Sequence, residues 1–326
     1  LPAARKLMEW LHGYTDARGL IDRPPYPYWI DHASLDRRGA SFSLNAHYLG
    51  ALEDLATVLE WLGKAESQAY RARAARLRGS LQERFWSPER GLFCDALVDD
   101  IQSERFSEQA NGMALAMQVA TAAQAEAIVE NLLASDGHDL IRRANGMTMV
   151  TPATSYLFHL GLCRYGHVEE SLAELRRRFG HMLEPDTNQT LWEEWWLDGT
   201  GRSGAFAGGR SRSDAQTESA FAPALLGEYV LGLEPVAPGC RKVRLQWRES
   251  GIGEVSGVMP SPLGPLSVHW RPASRELHLR VPPGMEVELD RSSLPGAPHT
   301  RLRVDGRQIA PTDPSQRFLT LRGSVH

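Results

Sequence analysis

Apolar residues recur every three or four positions through most of the chain and every second position through its last part. That change of period sets what the chain can fold into. From Gly39 to Leu62, the residues Leu44, Tyr48, Ala51, Leu52, Leu55, Val58, Leu59 and Leu62 mark one face of a helix. A second helix is expected over about 66–86, with Leu77, Leu81 and Phe85 on its face, after the short break Gly63-Lys64. Short breaks make antiparallel neighbours of successive helices. The pattern returns from Ser107 to Met117, in small apolar residues, and again over about 122–134. Thr151-Pro152 reads as an N-cap with proline first in the helix, ahead of Tyr156, Leu157 and Leu160. A helix with Val168, Leu172, Leu175, Phe179 and Leu183 follows Gly166, and a last one is expected over about 214–231. Residues 3–13 add an amphipathic stretch with Leu7, Trp10 and Leu11 on one side.

About eight helices in antiparallel pairs result. The first helix of a pair tends to be small and apolar. The second carries more charge, as in Arg71–Arg78 or Glu169–Arg178. Inner and outer layers of a helical toroid would produce that contrast. Within the charged helix, Arg176-Arg177-Arg178 reads as a solvated face. Beyond Pro235, Val243, Leu245 and Trp247 alternate with polar residues, as do Leu266, Val268 and Trp270, then Leu277, Leu279 and Val281. Gly and Pro punctuate these runs, which is the pattern of a β-sandwich. The expected architecture is an all-α helical toroid over 1–236 followed by an all-β sandwich over 237–326.

The formal net charge is -4, with both signs mixed along the chain, so no electrostatic footprint for nucleic acid is present. No apolar run reaches the length of a membrane span. Cys94, Cys163 and Cys240 fit neither a disulfide framework nor zinc-ligand spacing. His32, His47 and His159 are scattered, so no metal or cofactor is expected. The opening Leu1-Pro2-Ala3-Ala4-Arg5-Lys6-Leu7-Met8 reads like the inside of a helical segment. The expectation is that further chain precedes it, and localisation stays open.

Chemistry concentrates in Asn188-Gln189-Thr190-Leu191-Trp192-Glu193-Glu194-Trp195-Trp196. Tryptophan faces stack on sugar rings, and carboxylates do the acid–base work of glycosidic cleavage. The same residues could instead plug a core and leave the glutamates in water. In Trp29-Ile30-Asp31-His32 an aromatic again stands beside an acid. Trp29 could be a stacking platform and Asp31 could hold a sugar hydroxyl. Glu108, Gln109 and Asn111 could line a pocket, although helix capping explains them as well.

These segments together resemble bacterial α-L-rhamnosidases of glycoside hydrolase family 78. The likeness rests on Thr190-Leu191-Trp192-Glu193-Glu194-Trp195 between hairpins and on Trp29-Ile30-Asp31 followed by Asp36-Arg37-Arg38-Gly39 and Leu44-Asn45-Ala46. Ser107-Glu108-Gln109-Ala110-Asn111-Gly112-Met113-Ala114-Leu115, Tyr229-Val230-Leu231-Gly232-Leu233-Glu234-Pro235 and Val258-Met259-Pro260-Ser261-Pro262-Leu263-Gly264-Pro265 extend it across nearly the whole chain. The resemblance implies a six-hairpin (α/α)6 barrel and an inverting hydrolysis of terminal α-L-rhamnosyl linkages. It places the general base at Glu193, with Glu194 as the competing choice. Trp29, Asp31, Asn111, Trp192, Glu194, Trp195 and Gln216 would contact the sugar, with Trp29, Trp192 and Trp195 in reach of one cleft and Glu193 on its wall.

Two departures accompany the resemblance. The family's acidic motif, which carries the general acid, is not found here, so the barrel is expected to lack its N-terminal part and the chain to be a weak catalyst, with Asp31 or Asp36 the first substitutes for the acid. The family's histidine and tryptophan before the last helix correspond to Gln216 and Glu218, which opens the identity of the sugar. Another exo-acting glycosidase or lyase on a different sugar, or a degenerate carbohydrate-binding relative, remain the alternatives.

Overall fold

The computed structural model describes residues 1–30, 33–134, 143, 145–185, 187, 189–193, 196–197, 201–202, 215–294, 300–309 and 316–323. Its contacts divide the chain into two units. One comprises Leu1–Tyr165 with Glu174–Ala220, the other Gly166–Ala173 with Phe221–His326.

The first unit is helical. Its helices are α1 (Pro2–His12), α2 (Phe42–Trp61), α3 (Ser67–Arg84), α4 (Glu108–Ala116), α5 (Ala122–Leu133) and α6 (Ser155–Arg164), followed by the end of α7 (Val168–Phe179). α2 buries Tyr48, Leu49, Leu52, Leu55 and Leu59, largely the face expected, while Val58 stays exposed. α5 opens on a capping box, in which the Thr121 hydroxyl accepts from Gln124 N and the Gln124 amide accepts from Thr121 N. α1 turns differently from the expectation: Met8 enters the core, whereas Leu7 and Trp10 stay exposed. Trp10 packs instead on Tyr14 and Tyr26 at the surface. Glycine decides how closely α4 meets α6. A Cβ on Gly112 would lie 2.7 Å from Phe158 Cα, and one on Gly161 would lie 2.6 Å from the Gly112 carbonyl oxygen. The two backbones therefore approach to a distance that no other residue permits.

One short module recurs in this unit. Asn45, in the first turn of α2, accepts from Ile21 N (2.8 Å) and donates to Ile21 O (3.0 Å) and to Ser41 O (2.8 Å). Asn111, at the same step of α4, accepts from Phe93 N (2.8 Å) and donates to Phe93 O (3.0 Å) and to Ser107 O (2.9 Å). Each asparagine thus closes its own helix turn and pins a neighbouring extended residue. Backbone groups that would be unpaired inside the core are satisfied in this way. Ser155 repeats half of the device by donating to Thr151 O at 2.7 Å. The pinned residues also follow one pattern, Gly19-Leu20-Ile21 and Gly91-Leu92-Phe93, all four apolar side chains being fully buried.

The second unit carries the two larger sheets. One sheet has five strands in the order Val255–Met259, Leu266–Arg271, Glu276–Arg280, Arg301–Val304 and Arg307–Ile309. The other has four, in the order Phe318–Arg322, Glu286–Asp290, Lys242–Leu245 and Leu233–Pro235. The alternation read from the sequence fixes the register, with Val268 opposite Leu279 and Trp270 opposite Leu277. Trp270 is buried with its ring 5.5 Å from that of Trp247. The last helix is much shorter than the expected 214–231. Thr217–Ser219 is a single 3-10 turn, Ala222–Leu225 one α turn, and Leu226–Val230 a π turn. Pro223 falls just inside the α turn, and the chain at Gln216 is extended. A proline tolerated in a first turn cannot continue a helix from upstream.

Candidate functional site

The tryptophan–glutamate stretch is a further copy of the recurring module. Thr190-Leu191-Trp192-Glu193 aligns with Gly19-Leu20-Ile21-Asp22 and Gly91-Leu92-Phe93-Cys94. Ser219 takes the part of the asparagines, its hydroxyl donating to Trp192 O at 2.8 Å. Gln216 N donates to Leu191 O at 2.8 Å, so residues 216–219 hold the segment on one side. On the other side, Trp192 N points to Met182 Sδ at 3.5 Å. Trp192 therefore occupies the step held elsewhere by buried Ile21 and Phe93, and it is itself only 5% exposed. The sequence expected Trp192 to offer an open face to sugar, but the structure encloses its ring. The next step, Glu193, is half-buried.

The other expected site residues are distributed as follows. Trp29 is 56% exposed. Gln216 is half-buried beside the Leu191–Trp192 backbone. Asn111 is fully buried, with its amide committed to Phe93 and Ser107. Asp31, Glu194 and Trp195 lie outside the described residues, as does His32. The structure thus brings Gln216 to the Glu193 segment and keeps Asn111 as a support within the helical core.

Buried charged groups form a second centre at the start of α4. Glu108 is fully buried and accepts a bidentate pair from Arg178 at 2.7 and 2.8 Å. Arg143 adds a bond at 3.2 Å, and Val150 N donates at 3.2 Å. Arg178 also pairs with Glu174 at 2.7 Å and lies 4.6 Å from the centre of the Phe158 ring. This corrects the expectation of a solvated Arg176–Arg178 face. Arg176 and Arg177 are exposed, whereas Arg178 is 0% exposed because Glu108 and Glu174 compensate its charge. Burial works against ionisation of Glu108, but Arg178 and Arg143 hold its carboxyl below the ordinary value. Glu108 Oε2 thus spans α4, α7 and the Val150 backbone.

Asp36 and Asp95 form a third group. Arg38 binds Asp36 at 2.8 and 3.0 Å and, with the Ser103 hydroxyl at 2.7 Å, holds its carboxyl far below the usual range. These partners favour the ionised form of Asp36, which speaks against it as the substitute acid. Asp95, 3% exposed, is pushed up to about 6 by burial. It accepts from the Ser107 hydroxyl at 2.6 Å and from Asp36 N at 3.2 Å. Ser107 in turn caps α4 by accepting from Ala110 N. Among the described residues, no cluster of three metal-ligating side chains exists and no helix is long and apolar enough to cross a membrane.

Comparison with known proteins places this architecture. No curated protein matches the chain. Among solved structures, a GH78 family rhamnosidase of Bacillus sp. GL1 superposes with a TM-score of 0.74 at 22% identity, covering 93% of this chain and 30% of that one. The Streptomyces avermitilis α-L-rhamnosidase, solved with L-rhamnose, gives 0.64 at 18% identity, covering 88% of this chain and 26% of that one. The chain spans under a third of the length of these structures, and at such identities the likeness is one of fold: a helical region followed by β-sheets. The family model of the mannosylglycerate hydrolase MGH1-like glycoside hydrolase domain matches residues 26–195, which include the Trp29 segment, the Asp36 and Glu108 groups and the Trp192-Glu193 step. Since that match takes in more than half of the 326 residues, the chain belongs to the MGH1-like glycoside hydrolase family.

Proposed function

We propose that this chain is a glycoside hydrolase domain that cleaves terminal α-L-rhamnosyl linkages of rhamnosides or polysaccharide side chains with inversion, and that Glu193 is its general base. The observation that carries the reading is the position of Glu193. It follows a residue pinned in the core by Ser219, so its backbone is fixed, while its side chain keeps partial access to solvent. A base must be held still, because misplacement by about 1 Å can cost on the order of a hundredfold in rate. Fold likeness to rhamnosidases across 93% of the chain supports the choice of sugar. In an inverting mechanism Glu193 would deprotonate a water, and an acid about 6.5–9.5 Å from it would protonate the leaving oxygen.

The reading keeps Trp29, Asp31, Glu194, Trp195 and Gln216 as sugar contacts. Trp192 and Asn111 enter it as supports that fix Glu193 and α4. It assigns residues 1–236 to the C-terminal portion of an (α/α)6 toroid and 237–326 to a β-sandwich; the recurring pinned module favours the first, and the two sheets favour the second. A second reading is favoured by the family name: a mannosyl sugar acid in place of a rhamnoside. Incubation of the chain with aryl α-L-rhamnosides and with mannosylglycerate, followed by product identification and NMR of the released anomer, separates the two. Release of β-L-rhamnose first supports the proposal. Release of mannose alone replaces the substrate, and release of the α-anomer first removes the inverting mechanism.

A further inference from the structure

Position by position, the module places Ser43, Gln109, Ala153 and Thr217 at one step, two residues before Asn45, Asn111, Ser155 and Ser219. Three of these side chains are small. Gln109 alone is long, and it is only 3% exposed. Its Nε2 donates to Ile30 O at 3.5 Å, the outer limit for such a bond, while its Oε1 is buried and finds no donor among the described residues. A buried acceptor without a donor carries a desolvation cost, since it gives up its bond to water and gains none in return. An apolar residue of similar shape would avoid that cost, so the amide is a poor choice for folding alone. Ile30 is the neighbour of Trp29, which is 56% exposed.

We propose that Gln109 is a specificity-determining residue that accepts a hydrogen bond from one hydroxyl of the sugar stacked on Trp29. The inference rests on the glycosidase reading and assigns it a new contact. Gln109 Nε2 ties the Trp29–Ile30 segment to α4, and the length of that bond lets the segment yield as the ring enters. Oε1 then receives the donor that it lacks in the free protein. A site built to hydrogen-bond a hydroxyl rejects the analogue that lacks it, because the acceptor is left unpaired again.

The test compares the chain with its Gln109→Leu and Gln109→Glu variants on an aryl α-L-rhamnoside and on its 2-, 3- and 4-deoxy analogues. For Gln109→Leu, kcat/KM on the full sugar should fall roughly tenfold or more, while the melting temperature stays equal or rises. On one deoxy analogue the loss should disappear. Gln109→Glu, which keeps an acceptor, should recover part of the rate on the full sugar. Unchanged kcat/KM in Gln109→Leu overturns the proposal. So does an equal loss on every analogue together with a lower melting temperature, since that marks a structural role. If the unaltered chain neither turns over nor binds L-rhamnose by calorimetry, the rhamnosidase reading itself fails and the contact falls with it.

Discussion

Ser41–Asn45 and Ser107–Asn111 occupy the same place in two successive hairpins, and their asparagines make the same three bonds with lengths equal to within 0.1 Å. The residues between differ in kind. In the first, Phe42 packs against Phe85 and Phe93 at 5.4 and 5.2 Å between rings. In the second, the same step is Glu108, locked to Arg178 and Arg143. The step after Phe42 is Ser43, and the step after Glu108 is Gln109 with an unpaired acceptor. One backbone device therefore carries an apolar filling in one copy and a polar filling in the next. Fold stability requires only the first kind. The second retains charges and amides at a desolvation cost, which is where a function is to be sought.

The largest expected effect concerns the step that follows the pinned residue, held by Asp22, Cys94 and Glu193 in three copies. Glu193→Gln should reduce turnover by orders of magnitude with sugar affinity retained, because water attack becomes unassisted. Glu194→Gln should be milder. Asp22→Asn and Cys94→Ala should leave turnover near its original value. Asp22 serves an ion pair with Arg18 at 3.2 Å, and burial pushes the Cys94 thiol up to about 12, which makes it inert. Comparable rate losses at Glu193 and Glu194 would withdraw the assignment of the base.

Next in size is the buried charge at the start of α4. Arg178→Met should destabilise the chain by about 3–5 kcal/mol, since among the described residues Glu108 then keeps only Arg143 as a charged partner. If Glu108 merely fills the place of Phe42, the double change Glu108→Leu with Arg178→Met should recover most of the loss. Denaturant titration of the three proteins decides the matter. A double variant no more stable than the single one would mean that the ion pair orients α4 in a way that apolar packing does not replace.

The asparagine clamps should respond alike, by about 2–4 kcal/mol each on replacement by Ala, because a core N–H and carbonyl lose their partners together. A clear difference in denaturation midpoint between Asn45→Ala and Asn111→Ala would show that the two copies are not energetically equivalent. These clamps also show how far the sequence was legible. Helix periods over α2, α3 and α5, and the alternation around Val268 and Trp270, could be read because burial follows spacing. Asn45 and Asn111 could have been found from the repeat of Gly-Leu followed by a buried residue, with a polar residue inside the next helix. The burial of Arg178 is not legible from its neighbours, because its partner Glu108 is seventy positions away. The enclosure of Trp192 was hidden for a similar reason: aromatic composition suggests sugar stacking, but position in the module decides burial. The buried face of α1 is ambiguous in the sequence, since Met8, Leu7 and Trp10 are all apolar and only packing selects among them.

The smallest effect should appear as a pH dependence near the second clamp. Asp95 lies beneath Ser107 and is raised to about 6 from an ordinary value of 3.8, chiefly by burial. A carboxyl raised in the folded state binds its proton more tightly there than in the unfolded chain. Its contribution to stability is therefore full below about pH 4 and is lost as the pH rises through about 6, amounting to about 2–3 kcal/mol at most. Asp36 and Glu174 act in the opposite sense, because arginines hold both carboxyls low, Glu174 at about 2. Their contribution is present above about pH 4 and is lost only in stronger acid. Asp95→Asn should leave stability at pH 4 nearly unchanged, since the amide resembles the protonated acid, and should raise it at pH 7. The first hairpin has no equivalent carboxyl on Ser41, so the slope between pH 4 and pH 7 should flatten in this variant. Urea midpoints measured across that range test this. A slope in Asp95→Asn equal to that of the unaltered chain would mean that Asp95 stays ionised despite its burial, and that Ser107 and the Asp36 N–H stabilise its charge.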